Sequence, residues 1–190
     1  MYPELIVIRH GQTQWNLEGR WQGHGDSPLT AKGEDQARAI GGILARAGIT
    51  AESHRAYVSP SGRARATARL ALGEGWDPIP DPRLREIDAG RWEGWLVTDI
   101  VAEAGLPEDY HPLMLYENIP DGESLEGLRD RARDFLASLD RPSLLVTHGM
   151  TSRMIRTLAT GRDLDRLDEV PGGQGVVYRV RDGVHETLDT

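Results

Sequence analysis

Four short clusters in this chain combine residue types that can do chemistry. Arg9-His10-Gly11 follows the apolar run Leu5-Ile6-Val7-Ile8, and His148-Gly149 follows Ser143-Leu144-Leu145-Val146-Thr147. Ser59-Pro60 follows Ala56-Tyr57-Val58, with Arg63 just beyond, and Glu86 lies in Leu84-Arg85-Glu86-Ile87-Asp88. A neutral imidazole attacks phosphorus when its lone pair is aimed in line with the leaving oxygen. The phosphoryl group then needs fixed positive charge around its equatorial oxygens. Arg9, Arg63 and the second histidine, His148, would supply that cage around His10. A helix starting after Ser59 would add backbone N–H donors for the anion. The leaving alkoxide needs a proton, and water must later attack the phosphohistidine. Glu86 is the candidate acid, because a nearby dianionic phosphate favours a protonated carboxyl. Asp88 and Glu93 stand close enough in sequence to be alternatives.

These clusters need a scaffold. Leu5–Ile8, Ala56–Val58 and Ser143–Thr147 read as short buried strands, each with a cluster at its C-terminal end. Thr30 reads as the N-cap of a helix with Ala37, Ile40, Ile43 and Leu44 on one face, stopped by Gly48. Ala64 to Leu72 reads as a helix, Gly75 to Pro82 as a loop, Gly122-Glu123-Ser124 as the start of a helix to Leu139, and Ser152 to Ala159 as another. Val176–Val180 and Val184–Leu188 flank Asp182-Gly183, a hairpin signal. Strands alternating with helices predict a three-layer αβα sandwich with a largely parallel central sheet. Ligands in such sheets bind beyond the carboxyl ends of the strands.

Composition excludes several classes. No apolar run approaches a membrane span, and the N-terminus lacks the pattern of a secretory signal, so a cytoplasmic location is expected. There is no cysteine, which removes thiol catalysis and disulfides. A net charge of −8 without a basic stripe argues against nucleic-acid binding. The six histidines contain no His-x3-His pair, so no metal site and no cofactor are expected. His54, His111 and His185 read as loop or surface residues, and His24, just after Gln22-Gly23, as a candidate pocket border. Arg65 and Arg69 read as solvated, Arg85 and Arg91 stay unassigned, and Trp15, Trp21, Trp92 and Trp95 read first as packing residues. Nothing in the sequence sets an oligomeric state.

Taken in order, the motifs resemble the histidine phosphatase (phosphoglycerate mutase-like) superfamily. Arg9-His10-Gly11-Gln12-Thr13 with Trp15-Asn16 opens the match. Gln22-Gly23, Asp26-Ser27-Pro28-Leu29-Thr30, Ser59-Pro60, Arg63-Ala64, Thr67-Ala68, Glu86, Trp92-Glu93-Gly94, Gly122-Glu123-Ser124 and Val146-Thr147-His148-Gly149 continue it. The resemblance implies a phosphate pocket of Arg9, His10, Arg63 and His148, Glu86 as acid and base, and Asn16, Gln22, Gly23 and Gly149 as further binding residues. It implies one domain over residues 1–190, with a lid insertion at about 92–122. The expected function is hydrolysis of a small-molecule phosphate ester. Phosphoglycerate mutase activity, a protein phosphatase and a non-catalytic phosphate-binding role are the alternatives. From Trp92 to Leu128 there is no lysine or arginine, and acidic residues run from Glu93 to Glu126. Such a lid should repel a bisphosphorylated acid and favour a neutral or apolar remainder touching Trp95, Leu113, Met114, Leu115 and Tyr116. The resemblance agrees, since Ala89 and Met150 stand where dedicated mutases tend to carry Tyr and Asn.

Overall fold

A computed structural model describes residues 2–188. In chain order it runs β1 (Leu5–Arg9), α1 (Gln14–Glu18), α2 (Ala31–Arg46), β2 (Arg55–Val58), α3 (Gly62–Leu72), β3 (Ile79–Pro80), α4 (Val97–Glu103), α5 (Leu125–Ala137), β4 (Ser143–Thr147), α6 (Gly149–Ala159), β5 (Val177–Arg181) and β6 (Val184–Leu188). The strands form one sheet in the order β3-β2-β4-β1-β5-β6. The first four are parallel, while β5 runs antiparallel to β1 and β6 antiparallel to β5.

Alternation along the strands builds the layers. Ile6 and Ile8 of β1, with Leu144 and Val146 of β4, pack against Ile40, Ile43 and Leu44 of α2 and Ala64 and Ala68 of α3. Leu5 and Val7, with Leu145, face the other way, onto Leu128, Ala132 and Phe135 of α5 and Met154 and Ile155 of α6. Fully burying each large apolar side chain contributes about 1.5–3 kcal/mol. This is the predicted αβα sandwich. Residues 92–122 hold α4 and short 3₁₀ turns around a separate small cluster of Trp92, Ile100 and Leu115.

Local signals explain most boundaries. Thr30 caps α2 by accepting from the Gly33 amide at 3.1 Å, and Ser124 caps α5 through Gly127 at 3.0 Å. Asp182 and Gly183 both have positive φ, 52° and 76°, as a two-residue hairpin turn requires. Four elements depart from the sequence expectation, the first being α4, a helix inside the expected lid insertion. α1 is a five-residue helix with a Thr13–Asn16 capping box, too short to show a hydrophobic period. β3 lies inside the expected Gly75–Pro82 loop. α6 begins at Gly149, not Ser152, because its first amides are capped from elsewhere in the chain.

Candidate active site

Register places the three chemical clusters side by side. Val146 of β4 lies opposite both Ile8 of β1 and Val58 of β2. The ladder continues one residue past the strands: the His10 amide donates to Thr147 O and the Ser59 amide to Val146 O, each at 2.9 Å. His10, Ser59 and His148 therefore share one sheet edge, and the two imidazole rings lie 5.1 Å apart, centroid to centroid.

His10 is almost fully buried, and its Nδ1 lies 2.8 Å from Gly11 O. A carbonyl oxygen only accepts, so Nδ1 carries the proton and Nε2 keeps its lone pair. Arg63 Nε–H donates to that Nε2 at 3.3 Å. Burial first, then the charges of Arg9 and Arg63, hold His10 well below the usual histidine range, so it stays neutral. Gly11 is itself held, its amide donating to Thr67 Oγ1 at 3.0 Å. His148 is likewise buried and pushed down by burial and Arg63. Its Nε2 lies 2.7 Å from Ser59 Oγ, while its Nδ1 has no partner among the described residues. Arg9 Nε is a second buried polar atom without a partner. An anion in the cavity would satisfy Arg9 Nε.

Arg63 is anchored by Gly23 O at 2.9 Å, Gly25 O at 2.5 Å and Asp26 Oδ1 at 2.9 Å. Asp26 also takes the Arg63 amide, and Ser61 takes the Ala64 amide. Two of the N-terminal donors of α3 expected to face an anion are thus already committed within the chain. Glu86 Oε1 accepts from the amides of Ile87 and Thr151, and Oε2 from Met150, at 3.0–3.1 Å. A side chain from 64 positions upstream of Met150 is therefore the cap of α6.

One cavity of about 190 Å³ joins these groups. Its wall includes Arg9, His10, Asn16, Gln22, Gly23, Arg63, Glu86 and Gly149, which brings together every expected site residue except His148. His148 instead borders an adjoining recess with His24, Arg63, Arg85 and Glu86. Asn16 Oδ1 accepts from the Thr13 amide and from Gln174 Nε2, leaving Nδ2 for a ligand. Asp88 and Glu93 do not line the cavity: Asp88 caps the Gly90 amide and Glu93 takes the Gly25 amide. Among the three candidate carboxylates, only Glu86 faces it.

A model of the histidine phosphatase superfamily, branch 1, matches residues 5–185. The chain belongs to that superfamily. It is 40% identical over 158 residues to a protein named probable phosphoglycerate mutase GpmB from Enterobacter sp. (strain 638), a match covering 77% of this chain and 70% of that one. It superposes on TTHB049 of Thermus thermophilus with a TM-score of 0.74 at 35% identity, over 98% of this chain and 99% of that one. An Escherichia coli K-12 protein described as a proposed alpha-ribazole-5'-P phosphatase gives a TM-score of 0.80 at 25% identity, over 100% and 97%.

Several expectations need correcting within this superfamily frame. None of the acidic residues between Glu93 and Glu126 lines the cavity; all are exposed apart from Glu123, which is paired with Arg131. The segment contributes Pro112, Leu113 and Tyr116 instead, and neither Trp95, Met114 nor Leu115 reaches the cavity. The further charged groups that reach it are cations, Arg20 and Arg153, which sequence reasoning passed over. Their only sequence signal is weak, Arg153 lying one helical turn after Gly149. Trp21 lines the cavity too, stacked on Trp92 and edge-on to Tyr116. His54 is buried against Ser53 rather than exposed. His185 is half-buried between Arg156 and Tyr178, and the guanidinium pushes it down to about 4 after burial does most of the work. Arg65 and Arg69 are exposed, as expected.

Proposed function

We propose that this chain hydrolyses small phosphate monoesters through a phosphohistidine at His10. The observation that carries the reading is the fixed His10 tautomer, with an unprotonated Nε2, held by a long 3.3 Å bond from Arg63 Nε–H that a phosphoryl group would displace, at a cavity walled by Arg9, Arg63 and Glu86. In the first step Nε2 attacks phosphorus, the P–O ester bond breaks, and the Glu86 carboxyl gives its proton to the leaving alkoxide. In the second step Glu86 takes a proton from water as the water oxygen attacks phosphorus. The P–N bond then breaks, releasing phosphate and neutral His10. Arg9 Nε and Asn16 Nδ2 are the donors available to the phosphoryl oxygens, joined from the adjoining recess by His148 Nδ1 in the tautomer in which Ser59 Oγ–H donates to Nε2. Segment 92–122 would act as the lid, through Pro112, Leu113 and Tyr116.

The test is a brief exposure to a labelled ester. It should leave an acid-labile, alkali-stable phosphoprotein that is lost in His10→Ala. Label surviving in that variant would overturn the assignment.

The names of the relatives favour a second reading, in which the phosphohistidine returns its group to a phosphoglycerate. Against it stand Ala89 and Met150, at the positions where mutases tend to carry Tyr and Asn, with Ala89 fully buried. An enolase-coupled assay with 2,3-bisphosphoglycerate, run alongside phosphate release, separates the two. Mutase turnover equal to or faster than phosphate release would make this a mutase.

A further inference from the structure

The geometry points to Arg131, a residue outside the cavity, as a positioning residue for Glu86: its guanidinium sets the backbone from which the acid reaches the site. The inference rests on Glu86 being the acid, as proposed above. Glu86 lies in no helix or strand. The carbonyls around it are held by side chains instead of by a regular ladder. Thr147 Oγ1 donates to Leu84 O at 2.7 Å, and Thr151 Oγ1 to Arg85 O at 2.6 Å. Arg131, on α5, takes the carbonyls on either side of those two. Its Nη1 donates to Arg83 O at 2.7 Å and its Nη2 to Glu86 O at 3.1 Å.

The guanidinium is itself fixed. Nε and Nη2 donate to the two carboxylate oxygens of Glu123 at 2.6 and 2.8 Å, a two-bond fork between side chains that are each 19% exposed. Glu123 in turn grips the chain just beyond the acid. Its Oε2 accepts from the Asp88 amide at 3.3 Å, and its own amide donates to Asp88 O at 3.1 Å. The pair therefore holds the backbone at 83, 86 and 88, bracketing Glu86.

Arg131 does not line the catalytic cavity; it borders a separate surface recess with Pro82, Arg85 and Asp88. Its charge is matched by Glu123, and it meets Glu86 at the carbonyl rather than the carboxyl. It thus acts on the acid through position. A planar fork spans a carboxylate and two carbonyls at once, which the point charge of a lysine cannot do. Position matters here because proton transfer needs a reach of about 2.6–3.2 Å to the leaving oxygen. A misplacement of about 1 Å can cost about 10²-fold.

The test is a double-mutant cycle read as kcat/KM, which reports formation of the phosphohistidine, on glycerol phosphate and p-nitrophenyl phosphate. Arg131→Met keeps the apolar stem and loses every donor. It should cost glycerol phosphate about 10- to 100-fold more than p-nitrophenyl phosphate, whose leaving group barely needs the proton. In a Glu86→Gln background the same change should widen the gap between the substrates by less than about twofold, because the acid it positions is gone. Arg131→Lys, the variant to use if the methionine form does not fold, should show a smaller loss of the same kind. Equal losses on both substrates, or an undiminished effect in the Glu86→Gln background, would overturn the inference and leave Arg131 with a structural role alone. A Glu86→Gln change that by itself falls equally on the two substrates would instead sink the acid assignment on which the inference rests.

Discussion

At the residue scale, the chemistry depends on keeping one imidazole neutral among cations. The Gly11 carbonyl fixes the proton on Nδ1, and burial with Arg9 and Arg63 makes a second proton costly. A protonated His10 would have no lone pair, so activity should persist below the ordinary histidine range. We expect kcat/KM for p-nitrophenyl phosphate to show no acid limb centred near the ordinary histidine value of about 6.5. A limb there would mean that His10 titrates freely. The same burial has a stability consequence. Below about pH 6.5 the unfolded chain binds protons that buried His10 and His148 refuse, so each withdraws up to about 1.4 kcal/mol of stability per pH unit as pH falls. Urea unfolding on either side of that pH measures it, and replacing His148 with Asn should lessen the loss. Glu86 gives a separate prediction. If it protonates the leaving oxygen, Glu86→Gln should slow esters with poor leaving groups by about 10²–10⁴-fold. p-Nitrophenyl phosphate barely needs that proton and should lose less. Equal losses on both substrates would reduce Glu86 to its role as the cap of α6.

At the scale of elements, the site depends on backbone packed directly on backbone. The loop after β1 meets the first turn of α2 at two glycines. A Cβ on Gly33 would lie 2.0 Å from Gln12 O, and one on Gly11 would lie 2.2 Å from Gly33 O. Two effects compete in Gly33→Ala. Helix propensity favours alanine by about 0.8–1 kcal/mol. Overlap with a buried carbonyl costs more than that, because neither backbone can move without shifting the Gly11 carbonyl that orients His10. We expect a lower melting temperature and at least about a tenfold loss of activity, the overlap outweighing the propensity gain. A variant that melts higher and keeps full activity would show that the loop yields easily. A cap supplied at a distance is a second device of this kind. Glu86 ties the segment before α4 to the start of α6, so the candidate acid is fixed to the helix that begins just after the second histidine.

At the scale of the molecule, positive charge is gathered into one cavity of a chain whose net charge is −8. Among the described residues, four guanidiniums line it against one carboxylate. Fixed cations do for a phosphoryl group what a divalent ion does elsewhere, and they repel such an ion. Activity should therefore survive EDTA. Complete loss, restored by Mg²⁺ or Zn²⁺, would refute the arginine-cage mechanism. The described helices include none long and apolar enough to cross a membrane.

The sequence alone determined the layers and the rim. Two-residue alternation in Leu5–Ile8 and the Ile40, Ile43, Leu44 stripe are local records of which face is buried. Placing each chemical cluster just after a buried strand brings His10, Ser59 and His148 to one edge in any parallel sheet. The tertiary structure decided what depends on distant partners. The start of α6 was hidden because Glu86, not a neighbouring Ser or Asp, caps it. The acidic run after Trp92 could be counted but not aimed, and folding turned it to solvent while Pro112, Leu113 and Tyr116 turned inward. Arg153 looked like one arginine among 21. Only packing beside Gly172, in a wall shared with Trp21, made it part of the cavity, because a residue's neighbours across a cavity are set by packing rather than by its place in the chain.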